Sequence, residues 1–314
     1  MLTQSKNESK IIINENQLII EFDNYLSIYK DVADSTIQNH HVYIRRFFEW
    51  FHKEKFLSIE DVNFENLNIF LSLYHHQYSL SSSRKLHFSL RAFFEYCRLH
   101  KIIKLDFRPI LPQKRVYYNS YVPAILTDEK IGILIENCKK DISKKGIRDY
   151  AMLLLLICYG IRGCQVRNLE CSDIDWEANK IYFKGSKKGN GISQSIIPEV
   201  GNSLVNYICN IRPKSTSEKV FLSMKHSNKE LTSSSALSAI IRNILDNSGI
   251  KMPYNSLKGS HIFRHSFASR LLSKGEPIKN ISDMLGHKDY DTTIIYTKID
   301  IENLKKVCLE WEEY

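Results

Sequence analysis

The sequence predicts a mainly α-helical protein of two domains, the second of which also carries a small β-hairpin or sheet. Three observations predict it. Apolar residues recur at helical spacing through most of the 314 positions. The period fails between Asp106 and Pro123, where the prolines of Arg108-Pro-Ile-Leu-Pro112 punctuate the chain. Short β-type runs at Ile181-Tyr-Phe183 and Ser195-Ile-Ile197 flank a tip, Lys184-Gly-Ser-Lys-Lys-Gly-Asn-Gly191, whose residues favour a turn. A chain of this length buries two ordinary cores more readily than one.

The first helix is marked by the stripe Ile19, Phe22, Leu26 and Tyr29, and the second by Ile37, Ile44, Phe48 and Phe51 with basic residues interleaved. A third runs from Glu65 to Tyr78. Ser81-Ser-Ser-Arg84 has the chemistry of an N-cap for a fourth, which carries Leu86, Leu90, Phe93, Phe94 and Cys97 on its buried side. Thr127-Asp-Glu-Lys then starts a new helical region over Ile131 to Cys138, followed by a helix from Arg148 to Gly160. After the β-type runs, helices are expected over 201–211, 233–248, 264–273 and 277–285. The expected organisation is an arm over 1–14, a helical domain over 15–106, a linker over 107–125, a mixed domain over 126–298 and a terminal helix over 299–314. Ile299, Ile301, Leu304, Val307, Leu309 and Trp311 supply the apolar spacing of that last helix.

Composition narrows the classes of function. An apolar content of 43% excludes general disorder. The 44 Lys and Arg exceed the 35 Asp and Glu by 9, a balance that suits a polyanionic partner such as DNA. The 7 cysteines are odd in number and scattered, and they read as reduced, mostly buried thiols. The polar start offers no signal core, and no uncharged run reaches the length of a membrane span. Neither a Cys-x-x-Cys pair nor a His-Glu-x-x-His helix appears, so neither zinc nor another cofactor is expected. The expected location is cytoplasmic, on bacterial nucleoid DNA.

The chemistry concentrates near the C-terminus. His261-Ile-Phe-Arg264-His265 opens a helix, Leu285-Gly-His287 follows, and Tyr296 stands nine positions after His287. Upstream lie an isolated arginine in Tyr159-Gly-Ile-Arg162 and the lysines of the predicted hairpin tip. Breaking a phosphodiester without a metal requires three things: neutralising the phosphate, delivering a nucleophile and protonating the departing sugar oxygen. A planar guanidinium suits the first because it offers two parallel, permanently charged hydrogen bonds. Taken alone, each residue has an ordinary structural reading as well: a helix-terminal cation for Arg162, a surface imidazole for His287, a solvated lysine-rich turn for Lys184, Lys187 and Lys188.

Together these boxes resemble the tyrosine recombinase (phage integrase) family. Tyr-Gly-Ile-Arg162 with Asn168-Leu-Glu-Cys-Ser-Asp-Ile-Asp175 looks like its Gly-Leu-Arg box and the segment after it. His261-x-x-Arg264-His265 and Leu285-Gly-His287 match its two later boxes. The resemblance implies a helical core-binding domain and a mixed α/β catalytic domain that clamp duplex DNA. It implies that Arg162, His261, Arg264 and His287 meet the scissile phosphate, with His261 as base and His265 structural. Tyr296, preferred to Tyr290 by its distance from His287, would form a 3′-phosphotyrosyl bond and release a 5′-hydroxyl, with no metal or ATP. A hairpin lysine would be the general acid: Lys184 first, then Lys187 and Lys188. The implied partners are DNA with inverted-repeat sites, three further copies in a tetramer linked by the terminal helix, and accessory DNA-bending proteins.

The implied role is site-specific recombination for a mobile element. Chromosome-dimer resolution, relaxation of supercoiled DNA and silent DNA binding by the same fold stand as alternatives. Arg45, Arg46, Arg84, Lys85, Arg91 and Arg98 are the candidate DNA contacts of the first domain. Two positions depart from the family pattern. Gln165 stands where an acidic residue usually follows the first arginine, and Lys298 stands where many members have histidine.

Overall fold

A computed structural model describes residues 15–56, 58–112, 123–185, 190–224, 229–252, 259–287 and 293. Its described residues form two compact units, one on either side of residue 117. The architecture is mainly helical with one small sheet, as the sequence predicts. No helix among the described residues is long and apolar enough to cross a membrane.

The first unit contains α1 (Glu15–Lys30), α2 (Asp34–Lys53), α3 (Phe64–Gln77) and α4 (Leu80–Leu99). Phe22, Ile44, Phe47, Leu67, Leu86, Leu90 and Phe93 are wholly enclosed between them. Aromatic rings dominate this core. Phe47 meets Phe70 and Phe94 edge-on, and Phe22 meets Phe93 in the same way, the arrangement that ring quadrupoles favour. Three sequence expectations are corrected. Tyr29 leaves the α1 stripe and is 77% exposed, because α1 packs only through Leu18, Ile19, Phe22 and Leu26. The cap of α4 is Ser79, whose hydroxyl accepts from the Ser82 amide at 3.3 Å, so Ser81 to Ser83 lie inside the helix. Phe107 and Leu111, placed in the linker by their prolines, are buried against the first core.

The second unit is built around α6 (Lys144–Tyr159). Residues Ala151 to Ile157 are buried all round, which marks a central helix. Around it pack α5 (Asp128–Lys140), α8 (Pro198–Val205), α9 (Ser234–Asn247) and α10 (His261–Ser273). Caps form where the sequence supplies hydroxyls: Thr127 for α5, Ser143 for α6 and Ser233 for α9. A short helix, α7 (Gly163–Asn168), follows α6, and α11 (Ile278–Leu285) follows α10. α8 widens into a π-type turn over Asn206–Ile211, where the sequence predicts continuous helix.

The sheet has three antiparallel strands in the order β1 (Ile174–Asp175), β2 (Lys180–Phe183) and β3 (Ile192–Ser195). Lys180 faces Ser195 and Phe183 faces Ile192. Ile181 and Phe183 turn inward while Lys180 and Tyr182 turn out, the period of a half-buried strand. β1 carries no signal of its own in the sequence. β3 begins three residues earlier than Ser195-Ile-Ile197 suggests, because Ile196 and Ile197 lead into Pro198 at the start of α8. The described cysteines are free, but Cys171 and Cys209 are exposed rather than buried.

A buried arginine fastens α6 to the segment beyond the sheet. Arg148 donates to Asp149 at 2.9 and 2.6 Å and to the Leu222 carbonyl at 3.0 Å, and both side chains are almost wholly enclosed. Burial raises the Asp149 pKa, with Arg148 opposing it.

Candidate active site

Two left-handed glycines end the helices that carry the site. Gly160 closes α6 at φ 59°, and a Cβ there would come within 2.5 Å of the Phe267 ring. Gly286 closes α11 at φ 61°, and a Cβ there would meet the Asn190 carbonyl oxygen at 2.8 Å. Only glycine satisfies both demands. Each stop turns the chain sharply, so Arg162 emerges two residues after one helix end and His287 one residue after the other.

Arg264 joins these two helix ends. It lies in the first turn of α10, is 3% exposed, and donates to the Gly160 carbonyl at 2.9 Å and to the Leu285 carbonyl at 2.7 Å. Its planar fork thus ties the segment bearing Arg162 to the segment bearing His287. His261 begins α10, and His265 lies one turn further along, with ring centroids 6.3 Å apart. His287 Nδ1 shares a hydrogen bond of 2.7 Å with the Thr293 hydroxyl, which leaves Nε2 as the nitrogen that can meet a substrate.

The electrostatics show which groups are neighbours. The His287 pKa is pushed down to about 3, first by burial and then by the charges of Arg264 and Arg162. That of His265 falls to about 4 through burial, His261 and Arg264. His261 is lowered by loss of surrounding water and by Arg264 and Arg162. The structure therefore brings Arg162, His261, Arg264 and His287 together, with the imidazoles neutral at pH 7. A neutral imidazole is the form that can accept a proton.

These shifts carry a stability consequence. The unfolded histidines titrate at 6.5, and the folded His265 and His287 at about 4 and about 3. Between those limits the unfolded chain binds more protons, so stability is complete above pH 6.5 and is lost as the pH falls toward 4. Chemical denaturation at pH 5 is expected to show a loss of about 1 kcal/mol per histidine relative to pH 7, after allowance for solvent around the half-open rings. An unchanged midpoint would contradict it.

Lys184 stands apart from this cluster. Its ammonium pairs with Glu170, and Asp173 lies at 3.4 Å. Glu170 also accepts from Lys219 at 2.7 Å. The two lysines hold the Glu170 carboxyl down at about 2, and Glu170 raises the Lys184 pKa in turn. Sequence reading missed this clamp, as it missed Thr293. The clamp's only signal was the charge of Glu170 and Asp173 in the family-like segment. Tyr296, Tyr290, Lys187, Lys188 and the terminal helix lie outside the described residues.

In the first unit Arg46 donates to the Tyr74 hydroxyl at 2.7 Å and sits over the Tyr78 ring at 4.7 Å. Arg84, Lys85 and Arg91 line one open groove of about 340 Å³ with Ser81 and Phe88.

Comparison with known proteins places the chain. Residues 124–303 match the sequence model described as Phage integrase family, and residues 19–101 match Phage integrase, N-terminal SAM-like domain. The provisionally named integrase/recombinase y4rA of Sinorhizobium fredii is 28% identical over 315 residues, covering 98% of this chain and 75% of its own. Tyrosine recombinase XerA of Pyrococcus furiosus is 30% identical over 229 residues, covering 73% of each. The fold is shared with the XerH site-specific recombinase in its post-cleavage complex with difH DNA, at a TM-score of 0.71, 21% identity and coverage of 97% and 92%. The chain belongs to the phage integrase family of tyrosine recombinases. It is an enzyme of site-specific recombination, a reaction in which DNA strands are cut and rejoined.

Proposed function

We propose that this recombinase cuts DNA at inverted-repeat sites through Tyr296, on behalf of a mobile element. The observation that carries the proposal is the convergence of Arg162, His261, Arg264 and His287, since both imidazoles feel both guanidinium charges. Arg162 and Arg264 neutralise the non-bridging oxygens of one phosphate, and His287 donates or accepts a hydrogen bond there through Nε2. His261 takes the phenolic proton as Tyr296 Oη bonds to phosphorus. The bond from phosphorus to the 5′ oxygen breaks, and a hairpin lysine supplies that oxygen's proton. The phosphotyrosyl link conserves the phosphodiester, so a 5′-hydroxyl of another strand can reverse the step without ATP.

The groove of Arg84, Lys85 and Arg91 on α4 meets the DNA backbone, where cations release counterions. Exchange of both strands between two duplexes takes four cleavages, and one phenol per chain makes the working assembly a tetramer on DNA. The terminal helix over 299–314 docks between neighbours. Accessory bending proteins complete the complex on nucleoid DNA in the cytoplasm. The name of the Sinorhizobium relative fits the integration reading.

Covalent trapping tests the proposal. The protein is incubated with fragmented genomic DNA and denatured, and the strands attached to it are sequenced. Strands that share one inverted-repeat site are expected, and a protein that yields none is not acting as proposed.

The acid is tested separately, because Lys184 must leave Glu170 and Asp173 to reach a leaving oxygen. Alanine at Lys184 is expected to slow cleavage about 10²-fold on ordinary DNA. It is expected to recover on DNA with a bridging 5′ sulfur, which departs without a proton. Recovery confined to the Lys187 or Lys188 variant would move the role along the tip.

A further inference from the structure

One side chain connects the Arg162 turn to the end of β2. Gln165, in α7, is 4% exposed. Its Oε1 accepts from the Arg162 backbone N–H at 2.9 Å, and its Nε2 donates to the Lys184 carbonyl at 3.1 Å. The partners settle which way the amide faces, because a backbone N–H can only donate and a carbonyl can only accept.

We propose that Gln165 is a positioning residue that locks the segment bearing Arg162 to the base of the β2–β3 hairpin, and that this task requires an amide and not a carboxylate. The inference rests on the reading of Arg162 as a phosphate-binding group. Arg162 occupies extended backbone, φ −74° and ψ 148°, between the left-handed turn at Gly160 and the start of α7. Between Gly160 and α7 the chain thus passes from left-handed through extended to helical backbone. The direction in which the guanidinium leaves the chain therefore depends on what fixes the Arg162 peptide.

The same amide fixes the backbone of Lys184, whose side chain is held by Glu170 and Asp173. One residue thus sets the separation between the first arginine and the hairpin that carries the candidate acids. A shift of about 1 Å at such a site costs roughly 10²-fold in rate.

An ionised carboxylate cannot replace the amide. It could accept from the Arg162 N–H, but it has no donor for the Lys184 carbonyl, and two acceptors would then face each other in a buried place. It would also add a negative charge at a strand end whose ammonium already pairs with two carboxylates. An acidic residue at this position is therefore expected to harm this enzyme.

The test compares wild type, Gln165→Glu, Gln165→Met and Tyr296→Phe on a nicked duplex carrying the site recovered by trapping. Adduct formation is followed at saturating protein, duplex affinity and thermal melting in parallel. The proposal expects Gln165→Met to cleave about 10- to 100-fold more slowly and Gln165→Glu at least as slowly, with affinity within about twofold of wild type. Rates equal to wild type in either variant overturn it, as does a loss of rate matched by an equal loss of affinity. Should Gln165→Glu fail to melt cooperatively, the methionine variant, which keeps the volume and adds no charge, decides alone. A wild-type protein without a Tyr296-dependent adduct would overturn the underlying reading of the site, which the Gln165 variants by themselves cannot do.

Discussion

Replacing Arg264 by alanine is expected to slow DNA cleavage about 10³-fold or more and to lower thermal stability at the same time. The rate loss follows from the proposed role of this guanidinium, a permanent positive charge beside the phosphate as charge develops in the transition state. The stability loss follows from the two bonds that the same fork makes inside the protein, to the carbonyls of Gly160 and Leu285. Both carbonyls end helices, where no intrahelical donor is available. Burying one without a partner costs about 1–3 kcal/mol. The truncation also leaves an opening at a residue that is 3% exposed. Arg264→Lys retains the charge but not the two-pronged geometry, and it is expected to recover affinity for DNA more fully than rate. Single-turnover cleavage and thermal melting measure the two losses separately. An alanine variant that melts and cleaves like wild type would remove both roles.

Tyr296→Phe is expected to abolish the covalent adduct while leaving DNA affinity within about twofold of wild type. The substitution removes one oxygen, and that oxygen is the proposed nucleophile. A phenol has a reference pKa of about 10, so it attacks only as a base removes its proton. His261 suits that task because loss of surrounding water and the nearby guanidinium charges hold it below its ordinary pKa, and hence neutral at pH 7. No other proposed group can substitute for a missing nucleophile, which makes this the largest single effect expected. Denaturing electrophoresis with labelled DNA measures it. Tyr290→Phe serves as the companion, since Tyr290 is the nearer phenol to His287 in sequence. An adduct that survives in Tyr296→Phe and vanishes in Tyr290→Phe would exchange the two assignments.

Much of the fold was legible because burial in a helix leaves a periodic trace. The stripes of α2 and α4 and the all-apolar run of α6 appear in the sequence before any coordinates. Caps were legible where one hydroxyl stood alone, as at Thr127. They were ambiguous in the serine run before α4, where several neighbours have equal capping chemistry and packing chooses Ser79. Tyr29 shows the other limit, since the period tells which face it shares but not where the neighbouring helix ends.

The family, the mainly helical class and the order of the Arg162, His261, Arg264 and His287 boxes are legible in the chain alone, because each box is local to one helix end. How those boxes are held depends on contacts between segments far apart in the chain. Arg264 reaches carbonyls 104 and 21 positions away, Gln165 spans the turn and the hairpin, and Lys184 is clamped by Glu170. An arginine reads the same in sequence whether its fork meets a phosphate, a carbonyl or water. A glutamine likewise carries no mark of which partners its two ends will find. Such bonds join groups whose distance is set by packing between helices, and local sequence does not encode that distance.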